Sequence, residues 1–185
     1  CPPKSLICAG RVQHLDNVRP FQFGAEKRYF NTLAYPEKRY NVCCMFGPHD
    51  DTKPDRRWIE QTLLDMKLEK SFIGQLYGDP NNIKNNVIDT GDRNHLNYYQ
   101  KLAHSRIGID AYGAYGCQSG RFYETLANKC CLVTQPIAIH MPNEFVEEED
   151  YLSFKDEEEL KQTINKLLHN KQLTDRIANN SYNKM

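Results

Sequence analysis

Short apolar runs that alternate with amphipathic stretches constrain this chain more than any other feature. Tyr40 to Phe46 is an apolar run closed by Gly47-Pro48, the pattern of a strand buried on both faces. Behind it, Pro54-Asp55 opens a segment in which Ile59, Leu63 and Met66 recur at helical spacing, one apolar stripe beside polar residues. The alternation repeats: Ser71 to Tyr77 reads as a strand, Asn94 caps a helix carrying Leu96, Tyr99, Leu102 and Ala103, and Arg106 to Asp110 reads as a strand. Arg121 to Asn128 then reads as a helix and Cys130 to Thr134 as a strand. Pro136 and Pro142 bracket a further apolar piece, Ile137 to His140. Ser153-Phe154-Lys155-Asp156 resembles a capping box ahead of three glutamates, where the helix dipole favours negative charge. Leu160, Ile164, Leu167 and Leu168 share one face of that helix, and Leu173 and Ile177 continue into a last one.

Strands joined by helical crossovers force a parallel sheet covered by helices. The expected fold is α/β, a doubly wound Rossmann-like parallel sheet with helices on both faces. Residues 1–36, punctuated by Pro2, Pro3, Pro20, Gly24 and Pro36, read as connecting structure or the edge of a preceding domain. Residues 37–185 read as the Rossmann-like domain. In such sheets ligands sit beyond the carboxyl ends of the strands, where strand order reverses. The loops after Phe46, Tyr77, Asp110 and Thr134 are therefore the ones to search.

Composition removes several function classes. The 24 basic side chains balance 24 acidic ones, so there is no electrostatic footprint for nucleic acid. Apolar runs such as Cys130 to Val133 are far short of a membrane span, and no basic patch precedes an apolar core at the N-terminus. The expected location is the cytoplasm. Of seven cysteines, Cys43-Cys44 and Cys130-Cys131 lie in apolar runs, where thiols act as small hydrophobes and stay reduced. No Cys-x-x-Cys pair and no helical histidine spacing occurs, so no metal site is expected.

The loop from Asp110 to Gly120 carries Gly113, Gly116 and Gly120 and leads into the helix with Arg121 and Glu124. Backbone amides at such a helix start, approached closely through glycine, suit a diphosphate. The spacing matches neither the dinucleotide fingerprint nor the P-loop. Arg121 in the first turn is placed to neutralise phosphate, and Glu124 one turn on is placed to accept from ribose hydroxyls. The alternative is a surface ion pair between the two. His49, Asp50 and Asp51 follow the first strand, with Arg56 and Arg57 at the next helix start. They face the same crevice or form a solvated turn beside surface charges. His140 serves a sugar hydroxyl or packs half-buried. Glu147 to Asp150 reads as a solvated acidic face.

Together, Ser105 to Asp110, the run Gly120-Arg121-Phe122-Tyr123-Glu124-Thr125-Leu126-Ala127-Asn128-Lys129-Cys130, and Asp156 to Leu160 followed by Ile177-Ala178 resemble the C-terminal, nucleotide-sugar-binding half of GT-B glycosyltransferases of the group 1 type. The branch related to spore-maturation glycosyltransferases is the nearest pattern: Pro20-Phe21-Gln22-Phe23-Gly24 is similar to its segment before the first strand, and Phe46-Gly47-Pro48 is loosely similar to its Phe-x-Gly. The resemblance implies a donor-binding half-domain that takes a nucleoside-diphosphate sugar without an obligatory metal or other cofactor. It assigns the ribose to Glu124 and the diphosphate to Arg121, and its arginine near the next helix start falls at Arg56 or Arg57. With the loop readings above, the expected donor site adds Gly116, Ser119 and Gly120 at the diphosphate, and His49, Arg57 and His140 around it. The second glutamate that group 1 enzymes often carry eight positions earlier is Gly116 here. The acceptor site would lie in an N-terminal domain for which this chain has no room, so the chain is expected to be a fragment or a half-enzyme needing a partner. The rival reading is a non-catalytic nucleotide- or protein-binding module on the same fold.

Overall fold

The computed structural model describes residues 37–47, 53–75, 96–113, 118–137 and 145–185. Strands β1 (Tyr40–Phe46), β2 (Ser71–Gln75), β3 (Ser105–Ile109), β4 (Cys131–Thr134) and β5 (Leu152–Ser153) form one sheet in the order β2-β1-β3-β4-β5. Every pairing is parallel, as the crossover pattern requires. Helices α1 (Asp55–Asp65), α2 (Leu96–Ala103), α3 (Gly120–Ala127), α4 (Glu157–His169) and α5 (Lys171–Lys184) cover it.

The period-2 geometry of β1 divides the core. Val42, Cys44 and Phe46 pack with Ile59 and Leu63 of α1, Ile164 of α4 and Ile177 of α5. Cys43 and Met45 point the other way, toward Tyr98 and Leu102 of α2. On that second side α3 buries Phe122, Tyr123 and Leu126 against Leu132. Helices thus lie on both faces, and the doubly wound expectation holds. Adjacent cysteines are sent to opposite faces, and Cys43, Cys44, Cys130 and Cys131 are all free and buried. Burial pushes the Cys43 thiol up to about 12, so these thiols stay protonated and inert.

Two contacts set how closely the α2–β3–α3 unit packs. A Cβ on Gly108 would lie 2.5 Å from Thr125 Cγ2, so glycine is what lets α3 approach β3. At the opposite end of the sheet, Lys38 Nζ donates to Ala103 O and Asn128 O, both at 2.8 Å, neutralising the C-terminal ends of α2 and α3 together.

Three sequence expectations change. The N-cap of α4 is Asp156, not Ser153. Asp156 Oδ1 accepts from Glu159 N and Glu159 Oε2 accepts from Lys155 N, each at 2.9 Å, while Ser153 belongs to β5. The two-residue strand β5 is too short to show a period. Within the acidic run Glu147, Glu148 and Glu149 are exposed, but Asp150 is buried, accepting from Val146 N at 2.8 Å and Lys184 Nζ at 2.7 Å. Asn94 and most of Ile137 to His140 lie outside the described residues.

Candidate functional site

Strand order puts the carboxyl ends of β1 and β3 side by side, with α1 leaving β1 toward one face and α3 following β3 onto the other. That divergence is the switch point, the place where open α/β sheets commonly take their ligands. Gly47 extends β1 there and Asp110 extends β3, its amide donating to Val133 O at 3.0 Å.

The start of α3 is built around Asp110. Ser119, in extended conformation, is the N-cap, and its Oγ accepts from Arg121 N at 3.1 Å, satisfying one of the orphan amides of the first turn. The same hydroxyl donates to Asp110 Oδ1 at 2.6 Å, a short charge-assisted bond. Asp110 is 1% exposed. Burial raises its carboxyl pKa, opposed by Arg121 and by the Ser119 bond.

Arg121 does not form the surface ion pair with Glu124. Its side chain is 10% exposed and its Nη1 stands 3.9 Å from Asp110 Oδ1. The guanidinium lies over the rings of Phe46 and Tyr98, with its carbon 5.2 and 5.7 Å from their centroids. Burial opposes its charge, but Tyr98, Asp110 and Glu124 around it raise its pKa above the ordinary arginine value. Arg121 Nε and Nη1 and the Tyr98 hydroxyl are buried with no hydrogen-bond partner among the described residues. Such a group of unpaired donors around a fixed cation is uncommon in folded proteins, and an acceptor-rich group can satisfy it.

Arg56 joins this cluster from α1. It is buried, its guanidinium carbon is 5.6 Å from the Phe46 ring centroid, and its Nη1 would be 3.4 Å from a Cβ on Gly47. Arg57 is exposed. Adjacent helical residues point about 100° apart, so the structure brings Arg56, rather than Arg57, to the strand ends.

Glu124 lies one turn into α3, half-buried, and its Oε1 accepts from the Tyr99 hydroxyl at 2.7 Å. The side chain reaches back toward the helix start: a Cβ on Gly120 would be 3.9 Å from Glu124 Oε1. Of the residues read from sequence, Ser119, Gly120, Arg121 and Glu124 are thus gathered at one helix end, while Gly116, His49 and His140 lie outside the described residues. Sequence reasoning passed over Asp110, Tyr98 and Tyr99 as site residues. An acid closing an apolar strand was the one available signal for Asp110. Tyr99 read as packing on one side of its helix, and Tyr98 carried no signal. Among the described residues no group of three His, Cys, Asp or Glu side chains gathers as a metal cluster, and no helix is long and apolar enough to cross a membrane.

The strand order defines a Rossmann-like α/β domain, with a charged cluster at the ends of β1 and β3. Residues 55–185 match the family described as glycosyl transferase-like, and the chain belongs to that family. It is similar in fold to the C-terminal domain of a group 1 glycosyl transferase, LpcC, from Francisella tularensis, at 17% identity and a TM-score of 0.54, covering 88% of this chain and 92% of that one. Anabaena HepE, solved in complex with UDP and glucose, matches at 16% identity and a TM-score of 0.56 over 78% of this chain and 43% of its own. Sucrose-phosphate synthase from Thermosynechococcus elongatus matches at 13% identity and a TM-score of 0.51 over 88% of this chain and 44% of its own. The chain therefore spans less than half the length of the latter two. No curated protein matches it significantly.

Proposed function

We propose that this chain is the donor-binding half of a glycosyltransferase, taking a nucleoside-diphosphate sugar at the ends of β1 and β3 and passing the sugar to an acceptor. The observation that carries the reading is the buried Arg121 guanidinium with unpaired Nε and Nη1 beside the capped start of α3. A diphosphate supplies the acceptors that these donors lack, and helix dipole and cation act on it together. Glu124, one turn deeper, receives the ribose hydroxyls. Family membership and the UDP and glucose held by HepE support this ligand chemistry.

Catalysis in this reading is electrostatic. Arg121 and the α3 amides stabilise the diphosphate as it departs, in a site already arranged for negative charge, with no obligatory cofactor beyond the donor. The acceptor is held by an N-terminal GT-B partner domain, and the enzyme works in the cytoplasm. The Pro20 to Gly24 and Phe46 to Pro48 segments support placement in the spore-maturation branch.

Calorimetric titration with UDP, GDP and ADP tests the reading. Loss of a charged hydrogen-bond partner costs about 1.5–3 kcal/mol, so Glu124→Ala weakens binding about tenfold or more. Arg121→Ala reduces diphosphate binding more than nucleoside binding. If none of the three binds at millimolar concentration, or Glu124→Ala binds as well as the unaltered chain, the non-catalytic module takes the place of this reading.

A further inference from the structure

Glu124 has one hydrogen-bond donor to its carboxylate recorded among the described residues, the Tyr99 hydroxyl at 2.7 Å. The two residues are 25 positions apart and come from different helices, α2 and α3, which lie on the same side of the sheet. Tyr99 is itself held: its ring is 5.1 Å from that of Tyr98, and Tyr98 is buried against β1. The chain of support therefore runs from the core through Tyr98 and Tyr99 to one oxygen of the carboxylate. An unsupported glutamate on a helix start samples several rotamers. This one is pinned at Oε1, above Gly120, whose missing side chain leaves the space open.

A carboxylate has two oxygens and about four acceptor sites. With Oε1 engaged by Tyr99, the second oxygen is the one left to meet a ligand. We propose that Tyr99 is a positioning residue that fixes the Glu124 carboxylate so that it discriminates a ribonucleotide donor from one lacking a sugar hydroxyl. The inference rests on the donor-site reading above and adds to it the residue that sets sugar selectivity. Tyr99 acts through Glu124. Its loss leaves the diphosphate contacts in place and lowers only the share of binding that depends on the ribose hydroxyls, because an oriented acceptor gains more from a fixed diol than a mobile one.

The test is calorimetric titration of the full 185-residue chain with the tightest binder among UDP, GDP and ADP, and with its 2′-deoxy and 3′-deoxy counterparts. These ligands are measured against the unaltered chain, Tyr99→Phe, Glu124→Gln and the double variant, with thermal melts of each. The unaltered chain favours the ribonucleotide over at least one deoxy form by about tenfold. Glu124→Gln removes most of that preference. Tyr99→Phe lowers it about threefold or more, with affinity for the deoxy form falling less than affinity for the ribonucleotide and a cooperative thermal melt retained. In the double variant the Tyr99→Phe effect vanishes, since its target is gone. If Glu124→Gln loses the preference but Tyr99→Phe keeps it, or if the two effects simply add, the positioning role is overturned and the donor site stands. If Glu124→Gln also keeps the preference, or no nucleotide binds, the donor-site reading fails and the inference fails with it.

Discussion

Ser119 and Asp110 meet through a 2.6 Å hydrogen bond that joins the cap of α3 to the end of β3. Because Ser119 Oγ also accepts from Arg121 N, one hydroxyl ties strand, helix start and buried cation into a single unit. Removing it costs the cap and leaves Asp110 with a poorer environment. Ser119→Ala is expected to destabilise the chain by about 1–2 kcal/mol, and the melting temperature should fall by about 2–8 °C. Differential scanning calorimetry decides this, and an unchanged melting temperature contradicts it.

Asp110 is also the counter-charge of Arg121. Asp110→Ala strands a buried guanidinium and should cost about 3–5 kcal/mol. Asp110→Asn, which keeps a partner for Ser119, should cost less. Equal losses in urea unfolding would show that the charge is unimportant.

The same carboxyl gives a pH signature. Its folded-state pKa is raised by burial above the usual 3.8, so between those two values the folded chain binds more protons than the unfolded one. The Asp110 contribution is therefore greatest below about 3.8 and is lost as pH rises through the folded value. The stability of the unaltered chain relative to Asp110→Asn should decline as pH is raised above about 3.8. A rising difference would reverse the assignment.

Gly108 faces Thr125 Cγ2, which is fully buried. Gly108→Ala should cost about 1–3 kcal/mol through overpacking, and Thr125→Ser, which removes the offending methyl, should recover part of it. Additive losses in a double-mutant cycle would place the strain elsewhere.

Lys38 donates to the last carbonyls of α2 and α3. Lys38→Met keeps most of the apolar stem and loses the cap, with an expected cost of about 1–2 kcal/mol and no change in nucleotide affinity, because the residue sits at the far end of the sheet. A fall in affinity at unchanged stability would contradict that placement.

Residue patterning alone determined the elements and their class. A continuous apolar run marks a strand buried on both faces and a 3.6-residue recurrence marks a helix whatever surrounds them. Val42 to Phe46 and Ile107 to Ile109 were therefore legible as runs and the α1 segment as a period, as was the parallel sheet they imply. The Ser119 to Glu124 cluster was legible for the same reason, since a helix start and one turn of spacing are local geometry.

Tertiary structure decided which charges matter. Helical spacing sets Arg56, three residues before Ile59, on the apolar stripe and turns Arg57 away from it, but only the packing of α1 on β1 brings the first beside Phe46 and leaves the second in water. Asp110 became the partner of Ser119 and Arg121 because the β2-β1-β3 order closes the strand ends around it. Tyr99 met Glu124 because α2 and α3 share a side of the sheet. Desolvation and hydrogen bonding between distant residues depend on how elements stack, a long-range outcome that the apolar pattern permits without specifying.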